Sequence, residues 1–73
     1  MAAELYWDDA EDLGLALAEA HPNQNPLELR FTYLHRMIAE LPTFADDPAK
    51  STEGKLEAIQ MAWYEEWQDQ HEK

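Results

Sequence analysis

The chain has 73 residues, which is enough for one small domain. Its 16 acidic and 5 basic side chains give a formal net charge of −11. This charge argues against a nucleic-acid partner and against binding to an anionic membrane surface, because both are bound through Lys and Arg. There is no Cys, which excludes disulfides, thiolate metal sites and a Cys nucleophile.

The sequence shows neither a membrane span nor a signal peptide. An uninterrupted stretch of about 18 apolar residues, as a membrane-spanning helix needs, does not occur. The first residues, Met1-Ala2-Ala3-Glu4, lack the basic start and apolar run of a signal peptide. We therefore expect a cytoplasmic protein.

The first predicted helix begins at the aspartates near the amino terminus. Asp8 is the expected N-cap, with Glu11 at the capping-box spacing. Because proline cannot continue the helical hydrogen bonds, His21-Pro22 is expected to end this helix. Residues 5–7, before the helix, are expected to form a short extended piece. The apolar or small residues at the spacing of one helical face are Ala10, Leu13, Gly14, Leu17 and Ala20.

A second helix is predicted in the middle of the chain. Residues 27–31 alternate apolar and polar side chains, which predicts a short extended segment before it. Thr32 is the expected N-cap, and Pro42 stops the helix after Leu41. The buried stripe predicted at i, i+3, i+4 and i+7 is Leu34, Met37, Ile38 and Leu41.

The third helix follows a loop over residues 43–50. In that loop, Phe44 is expected to anchor the chain and Asp46-Asp47-Pro48 to form a turn. Ser51 or Thr52 is the expected N-cap of the helix. The predicted inner face of this helix is Leu56, Ile59, Trp63 and Trp67.

These elements predict a mainly α protein, a small three-helix domain with at most short extended segments. We expect a single domain over residues 1–73, with an ordered core of about 5–67, a frayed carboxy-terminal tail and a monomeric state. The predicted core consists of Leu13, Leu17, Leu34, Ile38, Leu41, Leu56, Ile59 and Trp63.

The three histidines do not predict a zinc site. His21, His35 and His71 lack the i, i+4 spacing or the interleaved Cys that such a site requires. For His35, beside the stripe of the second helix, we expect a packed or surface imidazole rather than a metal ligand.

The carboxylates are the candidate functional groups because they are clustered. Acids in the first turn of a helix cap it and complement its dipole, so part of the clustering has a structural explanation. Exposed carboxylate clusters also bind hard divalent cations weakly and steer a protein onto a basic partner. A paired-carboxylate enzyme needs two carboxyls in different environments beside a cleft, which the sequence does not indicate, so we expect no catalysis. The clusters are Asp8, Asp9, Glu11 and Asp12; Asp46, Asp47, Glu53 and Glu57; and Glu65, Glu66, Asp69 and Glu72.

The order of motifs along residues 5–66 resembles the IscX family of iron–sulfur cluster assembly accessory proteins. The amino-terminal part of this resemblance is Trp7-Asp8-Asp9, Leu13-Gly14, Ala16-Leu17, Pro22 and Pro26. The central part is Arg30-Phe31-Thr32, His35, Phe44 and Asp46-Asp47-Pro48. The last part is Ser51, Glu53, Leu56-Glu57-Ala58-Ile59 and Trp63.

The resemblance implies a modified winged-helix fold and a regulatory role beside the cysteine desulfurase that supplies sulfur for cluster assembly. It also implies weak binding of Fe²⁺ by the acidic surface, without a tightly bound cofactor. The residues expected to contact the partner are Asp8, Asp9, Asp12, Glu19, Asp46, Asp47, Glu53 and Glu57. Those expected to hold iron are Asp9, Asp12, Asp46, Asp47, Glu53 and Glu57.

Our leading hypothesis is therefore an acidic adaptor that binds the desulfurase and regulates cluster assembly. One alternative is an iron donor in which the same carboxylates hold Fe²⁺. Another is an acidic interaction domain with a different basic partner.

Overall fold

Three α-helices dominate residues 4–71, the part of the chain that the structure, a computed structural model, describes. They are α1 (Ala10–Ala20), α2 (Phe31–Ala39) and α3 (Glu53–His71). Two single 3₁₀ turns, Pro26–Glu28 and Pro48–Lys50, precede α2 and α3. The prediction of a mainly α, three-helix domain is confirmed. Among these helices, none combines the length and the hydropathy needed to cross a bilayer.

Helices α1 and α3 lie side by side and run in the same direction. Lys55, near the start of α3, forms an ion pair with Asp8, just before α1. At the other end, the His71 Nε2 atom of α3 lies 2.9 Å from the Pro22 carbonyl, just after α1. Between these contacts, a Cβ built on Gly14 would lie 2.7 Å from both the Cβ of Ala62 and the backbone N of Trp63. The missing side chain of Gly14 therefore permits close approach of the two helix backbones.

An extended segment at the amino terminus contacts the loop that precedes α3. Leu5 forms an isolated parallel β-bridge with Phe44, through its N–H to the Thr43 carbonyl and its carbonyl to the Ala45 N–H, both 2.8 Å. This agrees with the first part of the short extended piece predicted for residues 5–7, whereas Trp7 already lies in a turn. Within residues 4–71 the structure has no named strand and hence no β-hairpin wing, so the winged-helix likeness is not confirmed.

The hydrophobic core lies between the three helices. All eight residues predicted for it are buried. Leu5, Trp7 and Ala18 are buried as well, and Trp7 is only 2% exposed. Phe31, Phe44 and Trp67 are partly buried and pack against this cluster. The core therefore includes the amino-terminal segment, which supplies one of its two fully buried Trp side chains.

The predicted N-cap of α1 is wrong by one residue, and the predicted N-cap of α2 is wrong by two residues. Asp9, not Asp8, is the N-cap of α1, because the Leu13 N–H donates to the Asp9 carbonyl at 2.8 Å. Arg30, not Thr32, is the N-cap of α2, because the Leu34 N–H donates to its carbonyl at 3.0 Å. For α3, the Thr52 Oγ1 accepts from the Lys55 N–H at 3.2 Å, which agrees with the predicted cap.

The extended segment predicted over residues 27–31 is limited to Leu29 and Arg30, because residues 27 and 28 belong to a 3₁₀ turn and Phe31 begins α2. The Asn25 side chain accepts from the Leu27 N–H at 3.0 Å, and Pro26 at the next position has a backbone suited to a turn. This local chemistry produces the 3₁₀ turn, and the alternation of side chains does not reflect a strand.

Helix α3 continues as a helix through His71. Of the tail predicted to fray, Glu72 and Lys73 lie outside the described residues.

Candidate functional site

Asp46 and Asp47 are occupied by contacts that hold Trp7 in place. The Asp46 carboxylate accepts from the Trp7 N–H at 3.0 Å and from the Asp47 N–H at 2.7 Å. The indole Nε1–H of Trp7 donates to the Asp47 carbonyl at 2.7 Å, and the Asp47 carboxylate accepts from the Ala49 N–H at 2.9 Å. The pKa of Asp46 is lowered, first by its hydrogen bond from Trp7 and then by that from Asp47. These two aspartates therefore have a structural role.

Aromatic side chains complete the surroundings of Trp7. His35 stacks on it with ring centroids 5.5 Å apart, and Phe44 meets it edge-on at 4.8 Å. The His35 Nε2 atom also lies 2.6 Å from the Pro48 carbonyl. His35 thus occupies a packed position, one of the two positions expected for it from its place beside the α2 stripe.

Asp8 and Asp9, at the start of α1, make different contacts. The Asp9 Oδ2 accepts from the Tyr6 N–H at 2.9 Å, so this carboxylate closes a turn before the helix. The Asp8 carboxylate is exposed and forms the ion pair with Lys55. The pKa of Tyr6 is raised, first by its hydrogen bond to Glu4, with smaller contributions from the charges of Asp46 and Asp9. The structure therefore brings two of the predicted clusters near each other around Tyr6.

The other four predicted contact residues, Asp12, Glu19, Glu53 and Glu57, are exposed. Within residues 4–71 none of their carboxylates takes part in a side-chain hydrogen bond or a salt bridge. Their charges are therefore available to a partner.

On α1 these charges belong to one exposed stripe, which we call the α1 acidic face. It consists of Glu11, Asp12, Leu15 and Glu19, whose helical spacing places them on one side. Leu15 is 41% exposed and lies between the acidic side chains.

Helix α3 carries a similar stripe, the α3 acidic face. It consists of Glu53, Glu57, Met61 and Glu65, at successive i, i+4 positions. Met61 is 51% exposed, so both faces combine carboxylates with one exposed apolar side chain. Leu15 and Met61 were missed as candidates, although each lies four residues after an acidic residue.

The residues predicted to hold iron do not form a metal cage. Within residues 4–71 no group of three or more His, Asp or Glu side chains is placed so that it could hold a metal ion. The first turn of α1 lines a shallow depression of about 380 Å³ with Asp8, Asp9, Glu11 and Asp12. Asp46 does not line this depression, and its carboxylate accepts hydrogen bonds from the backbone N–H groups of Trp7 and Asp47.

Comparison with known proteins identifies the family of this acidic domain. The model of the iron–sulphur cluster assembly family matches residues 5–68. The chain belongs to this family. The resemblance to the IscX family is thereby confirmed, and this family consists of accessory proteins of iron–sulfur cluster assembly. An uncharacterized protein of Pseudomonas aeruginosa, PA3808, is similar to this IscX-family chain, with 45% identity over 62 residues, covering 85% of this chain and 94% of the relative.

Proposed function

We propose that the protein is an acidic adaptor of iron–sulfur cluster assembly, which binds the cysteine desulfurase and regulates it in the cytoplasm. The observation that carries this proposal is the pair of exposed acidic faces on the neighbouring helices α1 and α3. Four carboxylates on these faces, those of Asp12, Glu19, Glu53 and Glu57, have no side-chain partner in the described part of the chain.

The composition of the two faces suits a basic protein surface. Unpaired carboxylates attract Lys and Arg over a distance and accelerate association. Leu15 and Met61 supply apolar area of the kind that becomes desolvated at the centre of an interface. We therefore propose that the partner contacts Asp12, Glu19, Glu53 and Glu57. Asp8, just before α1, lies at the edge of the contact surface. Asp9, Asp46 and Asp47 support these faces through the backbone contacts described above.

The test is a binding titration of the desulfurase by calorimetry, at low and at high salt. The double variant D12N/E19Q neutralises two charges on the α1 acidic face, and E53Q/E57Q neutralises two charges on the α3 acidic face. We expect each to weaken binding about tenfold at low salt, with a smaller difference at high salt, because exposed charges are screened. The matched control E28Q/E40Q removes two exposed charges outside both faces and is expected to bind as the unmodified protein does. Equal losses in all three variants would show that net charge, and not these faces, determines binding.

The second part of the proposal is that the exposed carboxylates of the two acidic faces bind Fe²⁺ weakly. The competing hypothesis is an iron donor, which binds Fe²⁺ as its main function. An iron donor would bind Fe²⁺ stoichiometrically and lose it after a few Asp→Asn changes. The adaptor binds the desulfurase without metal. An NMR titration with the desulfurase, repeated with Fe²⁺, separates the two hypotheses. Absence of any desulfurase binding at low salt would contradict the adaptor hypothesis and favour a different basic partner.

A further inference from the structure

Helices α1 and α3 face each other at Gly14 and Ala62, where their backbones approach closely. Neighbouring residues of an α-helix point about 100° apart, so the residues before and after such a contact lie on opposite flanks of the helix. Because α1 and α3 run in the same direction, the residue before the contact on one helix lies on the same flank of the pair as the residue after the contact on the other. Leu13 and Trp63 follow this rule, since both are fully buried on the flank that faces the core.

Leu15 and Met61 therefore lie together on the opposite flank of the pair. Leu15 follows Gly14, Met61 precedes Ala62, and the two side chains are 41% and 51% exposed. The contacts at the two ends of the helix pair join residues 47 and 49 positions apart. At the mean of these separations, the residue of α3 level with Leu15 is Trp63, two positions from Met61. Leu15 and Met61 are thus displaced by only about 3 Å along the helix axes.

Carboxylates flank this apolar pair in the same way on both helices. Each of the two apolar residues has an acidic residue four positions before it and another four positions after it. Four residues advance about 6 Å along a helix, so the carboxylates form two groups about 12 Å apart, with the apolar pair between them. All four are exposed, and within residues 4–71 none takes part in a side-chain hydrogen bond or a salt bridge. They are Glu11 and Glu19 on α1, and Glu57 and Glu65 on α3.

We infer that the α1 acidic face and the α3 acidic face form one continuous docking surface, which binds an amphipathic basic helix of a partner protein. The apolar side chains of that helix contact Leu15 and Met61, and its Lys or Arg side chains pair with the carboxylates on both sides. Charge complementarity favours this occupant, because an apolar stripe between two rows of cations matches an apolar pair between two rows of carboxylates. This inference rests on the proposed function in that both place the partner on the acidic faces.

The arrangement of the surface favours a helix over an extended segment. Gly14 and Ala62 are small, so no bulky side chain separates Leu15 from Met61. An extended segment presents a single row of side chains to a surface, because successive side chains point to opposite sides. A helix presents an apolar stripe with cations on both of its flanks. The 12 Å between the carboxylate groups corresponds to about two helical turns, so cations seven or eight residues apart reach both groups.

The probe for this surface is the peptide acetyl-Ala-Ala-Ala-Ala-Lys-Leu-Lys-Ala-Leu-Leu-Ala-Lys-Leu-Lys-Ala-Ala-amide. As a helix it carries four leucines on one side and two lysines on each flank, with about 10 Å between the lysines of one flank. It is titrated into the ¹⁵N-labelled full chain and followed by NMR and calorimetry. We expect one peptide per chain, with amide shifts at both Leu15 and Met61. Two peptides per chain, or shifts on one helix alone, would overturn the inference.

Two control peptides keep the charge of the probe. In the first, Pro replaces the two alanines that lie between the lysine pairs, so the peptide keeps every Leu and Lys but cannot form the helix. In the second, the same residues are rearranged so that the leucines are spread around the helix. We expect both to bind about tenfold more weakly, because neither brings an apolar stripe and two rows of cations to the surface together. Equal binding of the first would indicate an extended segment, and equal binding of the second would indicate charge alone; either result would overturn the inference.

Variants of the chain test the apolar pair. L15Q and M61Q are each expected to weaken binding of the probe about fivefold, since both side chains become desolvated at the centre of the contact. The matched control is L27Q: Leu27 is 50% exposed, lies in a 3₁₀ turn outside both faces, and its replacement is expected to leave binding unchanged. The Tm of each variant verifies that the fold is retained. An equal loss of binding in L27Q would contradict a local site.

The desulfurase proposal and this inference fail in different ways. If the desulfurase binds but the probe does not shift Leu15 and Met61, the inference is overturned and the proposed function stands. If the probe binds as expected but the desulfurase does not bind at low salt, the proposed function fails and the surface serves a different basic partner. Displacement of the bound probe by the desulfurase would support both.

Discussion

The backbone N–H of Trp7 donates to the Asp46 carboxylate at 3.0 Å, although the two residues are 39 positions apart in sequence. The indole of Trp7 adds a hydrogen bond to the neighbouring Asp47 carbonyl. Together these contacts hold the amino-terminal segment against the loop that precedes α3. Part of the negative charge near α1 is therefore required by the fold, before any partner is considered.

Replacing Asp46 by Asn is expected to lower the Tm at neutral pH. An amide offers one acceptor atom, whereas the carboxylate accepts from both Trp7 and Asp47. Because the pKa of Asp46 is lowered in the folded state, its contribution to stability is present above its ordinary value of 3.8 and is lost as the pH falls through the folded pKa. Thermal unfolding across this range checks the result: the difference in Tm between D46N and the unmodified protein should shrink in acid.

The control for D46N is D12N. Asp12 is exposed and has no side-chain partner within residues 4–71, so its neutralisation loses only the interaction with the α1 dipole and should lower the Tm at neutral pH less than D46N does. A Tm difference for D46N that stays constant down to the most acidic pH would contradict the role assigned to the Asp46 charge.

Replacing Trp7 by Phe is expected to cost about 1–3 kcal/mol in the free energy of unfolding. The change removes the donor to the Asp47 carbonyl and leaves space in the core, where Trp7 is 2% exposed. Chemical denaturation measures the loss. The matched control is Y6F at the neighbouring, exposed position, which should change stability less than W7F does. Equal effects of the two variants would show that the burial of Trp7 and its indole hydrogen bond do not stabilise the fold.

Replacing Gly14 by Ala is expected to destabilise the protein by about 1–3 kcal/mol, although Ala is the better helix former. The new Cβ would lie 2.7 Å from the backbone N of Trp63, so α1 and α3 must move apart. The control is G54A in the first turn of α3, where the Cβ meets only the Thr52 Oγ1 at 4.0 Å. This variant should be neutral or stabilised by about 0.5–1 kcal/mol. Urea denaturation should show a loss of stability for G14A and no loss for G54A, and stabilisation by G14A would contradict the close packing.

The ion pair between Asp8 and Lys55 is expected to contribute little to stability. The Asp8 side chain is 87% exposed, and exposed pairs are typically worth about 0.2–1 kcal/mol. A double-mutant cycle of D8N and K55M, measured by chemical denaturation, should give a coupling energy in that range that decreases with salt. A larger coupling, or one insensitive to salt, would show that the pair links α1 to α3 more strongly than its exposure allows.

Hydrophobic periodicity was sufficient to predict the helices and their core. The eight predicted core residues are all buried because the spacing along each helix determines which side faces the others. The errors occurred where short-range chemistry competes with that spacing. At Asn25-Pro26, an Asn side-chain cap and a restricted proline backbone produce a 3₁₀ turn that alternation alone does not reveal.

The exposure of the acidic clusters was predicted in part. The sequence indicated which carboxylates are clustered, and Asp12, Glu19, Glu53 and Glu57 are exposed as expected. It could not indicate that Asp46 and Asp47 are engaged with Trp7, because that contact joins residues about 40 positions apart.

The parallel arrangement of α1 and α3 constrains how the protein acquires its structure during translation. The contacts at their two ends join residues separated by 47 and 49 positions. When the ribosome has completed α1 and α2, the buried side of α1 still lacks Ile59 and Trp63. Folding of the nascent polypeptide must therefore wait until α3 has emerged from the exit tunnel.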